Sequence, residues 1–260
     1  MVNSDEIRRL FNAKEISLPL YIKVLLAVKK QFDLPYSDSI SILDILKNRD
    51  PNQDKIRIFA VEQIKHFLFQ CNRCSLHNSP SCTQKVPAEG NICSPLMIIG
   101  EGPGFDEDKQ GRPFVGKAGQ LLNTILSKLG IARQKVYISN VVKCRPPGNR
   151  TPLEKEVQAC SPNLELELAI TSPKVIITLG SVPLNYFLPG SSIMRSRGQW
   201  INMRGIWIMP TYHPAYILRQ QGKALYKVKW QVWDDFNNAI AKVKELCPDY
   251  DFNSQIDVRK

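Results

Sequence analysis

LMIIGEGPGFDEDKQGRPFVGKAGQLLN, residues 96–123, passes from a short apolar run through a glycine-rich loop into a segment whose Leu121, Leu122, Ile125 and Leu129 fall on one side of a helix. Strand, tight loop and helix in that order make half of a βαβ unit, and the alternation recurs downstream. VYISNVVK (136–143) reads as a strand, 152–170 as mostly helix, KVIITLG (174–180) as a strand and SVPLNYFL (181–188) as the start of a helix. GIWIMPTYHP (205–214) supplies a fourth strand with a trailing loop, and residues 224–246 a closing helix. Apolar strands alternating with helices bury both faces of a parallel sheet. The expected fold is therefore α/β, a three-layer α/β/α arrangement around a central four-stranded parallel sheet.

Ligands of such sheets bind outside the carboxyl ends of the strands. That rule selects GEGPG (100–104), Asn140 near the end of the second strand, and YHPAYILR (212–219) with His213. A glycine loop ahead of a helix ordinarily cradles phosphate on its backbone N–H groups. Here Glu101, Asp106, Glu107 and Asp108 line it and would repel an anion. A neutral group reaching the backbone suits the loop better.

The chain has 260 residues, 43% of them hydrophobic, enough for a core without staples. Residues 1–55 read as a helical N-terminal extension, 56–247 as the main domain and 248–260 as a loose polar tail. The opening MVNSDEIRRLFNAKE mixes acids and bases, unlike a signal or transit peptide. The apolar run 18–28 is too short to span a bilayer and is broken by Lys23. The expectation is an intracellular protein, cytoplasmic if prokaryotic, with no membrane association. Lys and Arg number 35 against 24 Asp and Glu, a net charge of +11, which favours a polyanionic partner. The bias sharpens in 189–223, which holds Arg195, Arg197, Arg204, Arg219 and Lys223 and no acid.

Seven cysteines in a reducing compartment point to metal binding or burial rather than disulfides. Cys71 and Cys74 form C-x2-C, the spacing at which two thiolates grip one centre; Cys144 and Cys160 stand at a strand end and inside the following helix. A two-plus-two set accommodates zinc or a [4Fe–4S] cluster, and spacing does not choose between them. Cys82, Cys93 and Cys247 lack a near partner and read as structural, with Cys82 or Cys93 able to replace one ligand.

CNRCSLH, GEGPGFDEDKQGRPFVGKAGQLLN, VYISNVVKCRPPGNRTP with Cys160, KVIITLG and PTYHPAYILR resemble, in order and spacing, the motifs of the iron–sulfur (family 4) uracil-DNA glycosylases. The resemblance covers about residues 70 to 240 and leaves 1–55 outside it. It implies a structural [4Fe–4S] cluster on Cys71, Cys74, Cys144 and Cys160, with no cofactor in the chemical step. It also implies hydrolysis of the N-glycosidic bond of uracil in single- or double-stranded DNA, by swinging the base out of the stack. On that reading Gly102 and Gly104 let the backbone approach the base, Phe114 stacks on it, and Asn140 donates to O4 while accepting from N3–H. Glu107 stands against the C5 edge to refuse thymine, and His213 donates to O2 as negative charge builds on the leaving base.

Other branches of the superfamily carry an acid at the third position of the GEGPG turn, where this chain has Gly102. Glu101 becomes the candidate for positioning water or steadying the sugar cation, with Asp108 as alternate. Tyr216, Ile217 and Leu218 form an apolar wedge for the vacated space, while Arg145, Arg150, Arg195, Arg197 and Arg219 meet phosphates. One alternative is a related glycosylase with another base preference or covalent trapping. The trapping offshoot uses a histidine in a basic loop, and SSIMRSRGQW (191–200) has none. A non-catalytic iron–sulfur DNA-binding protein is another, with residues 1–55 docking a protein partner. A monomer is the expected state.

Overall fold

The computed structural model describes residues 54–203 and 205–253. The N-terminal extension lies outside the described residues, apart from its last two, which open the first helix. Helix α1 (Asp54–Phe69) places Arg57, Ala60, Val61, Ile64 and Leu68 on one buried face, the three- and four-residue spacing of a packed helix. A two-residue strand β1 (Glu89–Gly90) follows, then β2 (Leu96–Gly100), buried along its whole length. The glycine loop carries a short helix α2 (Phe105–Gln110) and leads to α3 (Lys117–Lys128). Next come β3 (Tyr137–Asn140), α4 (Glu154–Thr171), β4 (Val175–Leu179), α5 (Ser181–Phe187) and α6 (Ile193–Ser196). Strands β5 (Ile201–Met203) and β6 (Ile206–Thr211), the short α7 (Pro214–Leu218) and the long α8 (Gly222–Leu246) complete the order.

The sheet runs β1-β3-β2-β4-β6-β5. Its four central strands are parallel, as expected, but it has six strands rather than four, because β1 and β5 add antiparallel edges. Both are too short to leave a hydrophobic period. Leu96 and Ile98 pack on one face with Leu122, Leu126, Val232 and Phe236, whereas Met97 and Ile99 pack on the other with Ile176, Ile208 and Leu164. Residues 248–253, read from sequence as the start of a loose tail, lie against the domain. Phe252 is buried and the Tyr250 hydroxyl donates to the Lys135 carbonyl, closing the far side of the sheet. Among the described residues no helix is long and apolar enough to cross a membrane.

Candidate functional site

The chain leaves β2 toward β3 on one side, and β4 leads to β6 on the other. The crevice therefore opens over the β2 and β4 carboxyl ends. Gly100 ends β2 and pairs in register with Asn140 at the end of β3. The ladder continues beyond both, with Val141 N–H donating to the Gly100 carbonyl at 3.0 Å and Val142 N–H to that of Glu101 at 3.1 Å. A Cβ on Gly100 would collide with Oδ1 of Asn140 and with the ring of Phe114. Glycine at this point lets the amide and the aromatic ring converge. Gly102 allows a second close approach, since a Cβ there would stand 2.6 Å from Cγ2 of Val142.

Asn140 is 3% exposed, and its Oδ1 has no hydrogen-bond partner. A buried acceptor without a donor costs about 1–3 kcal/mol, so it marks a place where a ligand donor belongs. Phe114 is buried with a left-handed backbone (φ 52°), unfavourable for an aromatic residue and held from several directions. Arg133 donates to the carbonyls of Pro113 (2.6 Å) and Phe114 (3.2 Å) and to Oδ1 of Asn123 (2.8 Å). Gly119 of α3 lies so close to the Phe114 carbonyl that no side chain fits between them. On the opposite flank, Glu107 accepts from the N–H groups of Val115 (2.9 Å), Gly116 (2.8 Å) and Gly104 (3.2 Å).

His213 follows β6 and caps α7. Its Nδ1 accepts from Ala215 N–H at 3.1 Å, which places the ring proton on Nε2. Burial, with the Arg219 charge second, lowers its pKa to about 4 and keeps the imidazole neutral at pH 7. The ring centroid lies 5.8 Å from that of Phe114, at an interplanar angle of 31°. Glu101 begins the glycine loop. Its carboxyl is raised by burial, against a hydrogen bond with Thr151 and the charge of Arg219. Gly100, Phe114, Asn140 and His213 thus gather at one strand-end crevice, with Glu101 beside it.

On the other face of the sheet, Cys71, Cys74, Cys144 and Cys160 line a single small cavity with Arg73 and Lys143 among its walls. Arg73 Nε lies 3.4 Å from the Cys71 sulfur, and Asn163 Nδ2 lies 3.6 Å from that of Cys160. The thiols of Cys74 and Cys160 are pushed up chiefly by burial. Cys82 hydrogen-bonds with Cys144, which raises the Cys144 thiol and brings a fifth sulfur to the edge of the group. Cys93 is elsewhere, donating to Asp54 at 3.0 Å. Among the described residues no three His, Cys, Asp or Glu side chains converge tightly enough for a single metal ion.

A family model described as the uracil DNA glycosylase superfamily matches residues 87–237, which span both walls of the crevice. The chain belongs to the uracil DNA glycosylase superfamily. It is 42% identical over 188 residues to a type-4 uracil-DNA glycosylase of Thermotoga maritima, covering 71% of this chain and 95% of that protein. A type-4 uracil-DNA glycosylase of Sulfurisphaera tokodaii is 44% identical over 169 residues, 61% of this chain and 76% of the relative. The type-5 uracil-DNA glycosylase of Pyrobaculum aerophilum is more distant, 30% identical over 148 residues, 50% and 65% of the two chains.

Several side chains of this superfamily member do other work than their sequence context suggests. Glu107 staples the Phe114 turn with both carboxylate oxygens, so it is not a free acid against a base edge. Asp108 is buried and accepts from Thr83 and Gln84, tying the loop after Cys82 to α2, which removes it as a water-positioning group. Arg197 forms a two-pronged ion pair with Asp235 of α8 and is an internal brace rather than a phosphate contact. Arg150 pairs with both oxygens of Glu156 at 2.8 and 2.9 Å while its side chain stays exposed. Arg195 and Arg219 are exposed, and Arg145 lies 5.1 Å from the centroid of the exposed Phe105 ring. Of the expected wedge only Leu218 projects, at 52% exposure. Ile217 is 2% exposed, and Tyr216 rests on Tyr212 with ring centroids 4.8 Å apart. The helical spacing of 216–218 already required this, because three successive positions cannot share one face. Arg133 and Gly119, which fix Phe114, went unread: Arg133 carries no local signal, while Gly119 stands in the quoted stretch.

Proposed function

We propose that this chain is a uracil-DNA glycosylase, a hydrolase that cuts the N-glycosidic bond of uracil in DNA and leaves an abasic site for repair. The observation that carries the reading is the buried, unpartnered Oδ1 of Asn140, facing the same glycine as the Phe114 ring. A uracil swung out of the stack offers N3–H to that acceptor and O4 to the amide N–H; cytosine offers the reverse pattern at both positions. A site built for one pattern rejects the other strongly, because mismatch leaves buried polar groups unpaired. Phe114 stacks on the base, and Glu107 acts through the turn it holds.

As the glycosidic bond lengthens, electrons collect on the departing base. Nε2–H of the neutral His213 donates to O2 and stabilises that anion, as a fixed dipole in a water-poor site does. Glu101, drawn toward Arg219 yet partly protected from water, orients the attacking water or faces the sugar cation. Leu218 and Arg219 beyond His213, with Arg145 and Arg195, contact the strand from which the base has left.

The residues around the cysteine cavity fit the [4Fe–4S] cluster that the type-4 resemblance implies. Four thiols share a cavity whose walls contain no carboxylate, and Arg73 Nε stands 3.4 Å from the Cys71 sulfur, a donor set that a [4Fe–4S] cluster accepts. Cys71, Cys74, Cys144 and Cys160 would hold it. When bound it supplies a structural tie between the segment after α1 and the loop following β3, and no part of the bond-breaking step. Incubation with a uracil-containing oligonucleotide followed by alkali tests the function: strand scission at uracil is expected. Retention of the oligonucleotide without scission would favour a non-catalytic DNA-binding protein.

A further inference from the structure

We propose that the outward face of the first half of α8 is a stacking platform for an unpaired stretch of the DNA strand beside the lesion, an inference that rests on the glycosylase reading above. The helix buries Val228, Val232, Asp235, Phe236, Ala239, Ile240 and Val243. At 100° per residue the opposite face carries Lys223, Tyr226, Lys227 and Trp230. Tyr226 and Trp230, at 69% and 66%, are the most exposed large apolar side chains among the described residues. Four residues apart, their rings stand about 6 Å apart along the axis, on one side of the helix.

The surroundings of the two rings indicate the occupant. Lysines flank them on the same face, Lys229 stands beside them, and no Asp or Glu occurs between Glu167 and Asp234, which closes the stripe at its distal end. Protein-binding patches are depleted of lysine around their aromatic anchors, whereas single-stranded nucleic acid asks for cations along its phosphates and flat rings for its bases. Position agrees with chemistry. The helix begins three residues after Arg219 and packs against α7, which carries Leu218 past the crevice. A strand leaving the crevice over Leu218 and Arg219 meets Lys223 next. Paired bases present no free face to such rings, so the platform favours substrates that are single-stranded or melted next to uracil.

The test uses the full chain and a fluorescein-labelled single-stranded oligonucleotide without uracil, alongside a blunt duplex of the same sequence. Replacing both rings, Tyr226→Ala with Trp230→Ala, should weaken single-strand binding about tenfold or more and leave duplex affinity within about twofold. Trp230→Phe should retain most of the single-strand affinity, and Lys227→Gln should reduce the dependence of log K on log salt by about 0.7. Unchanged single-strand affinity in the double variant overturns the proposal. If Tm also falls, the rings are covered by another part of the chain. Equal losses on single strand and duplex overturn it as well, since the face would then be a general contact. Because the probe contains no uracil, failure of the wild type to release uracil would remove the glycosylase reading and leave the binding result standing.

Discussion

Asn140→Asp tests the base-reading geometry most directly, because it exchanges one N–H donor for an oxygen at a position 3% exposed and changes the shape very little. The wild-type Oδ1 has no partner, so no hydrogen bond within the protein to that atom is lost. What changes is the edge offered to uracil O4, where an ionised carboxylate sets a lone pair against a lone pair. An unsatisfied buried acceptor costs about 1–3 kcal/mol, which corresponds to a loss of about 5- to 150-fold in kcat/KM. Burial without a cation also raises the pKa of the new carboxyl above the ordinary aspartate value of about 3.9. Protonated, it carries one O–H donor and one acceptor, the pattern of the original amide. The active form of the variant is therefore the protonated one, and its activity recovers as pH falls through the raised pKa. His213, with a pKa of about 4, stays neutral down to about pH 5 and does not mask the effect. Single-turnover uracil release, followed by alkaline scission from pH 5.5 to 8.5, should show the ratio of variant to wild type rising about tenfold toward low pH. A ratio near one at pH 8.5, or a loss of equal size at every pH, would refute the reasoning.

His213→Ala should lower single-turnover uracil release by about 10²–10³ with little change in DNA affinity, measured by quench and by anisotropy. Since burial lowers the His213 pKa from its ordinary value to about 4, the unfolded chain binds the extra proton first. Thermal stability should then fall as pH drops from about 6.5 toward 4, and do so less in His213→Gln. Arg197→Ala should destabilise the fold by about 3–5 kcal/mol in chemical denaturation, because it strands the buried Asp235, whereas Arg219→Ala should weaken DNA binding at unchanged Tm. Cys160→Ser should reduce bound iron and visible absorbance in anaerobically purified protein and lower its Tm.

Four central strands, their order of appearance and the three loops at their carboxyl ends were legible because each rests on a local pattern. An apolar run of five residues buried on both faces, a glycine where two segments must touch, and a helix stripe every three to four residues all write themselves into contiguous sequence. Asn140 and His213 were singled out the same way, as polar residues at strand ends. The two edge strands were not, since two or three residues cannot establish a period.

The misread side chains share one cause. Sequence shows that Arg197, Glu107 and Asp108 carry charge but not which partner the fold brings to them. Arg197 and Asp235 are 38 positions apart and meet only because α8 returns across the sheet. Glu107 meets backbone N–H groups, which leave no mark in a sequence at all. A run of arginines therefore overstates the surface available to phosphate, here by at least Arg197. On α8, by contrast, Lys223, Lys227 and the rings between them lie opposite the buried face, and the chain itself carries no Asp or Glu from 168 to 233. Charge that the fold leaves uncompensated, rather than charge counted along the chain, is what a strand of DNA can use.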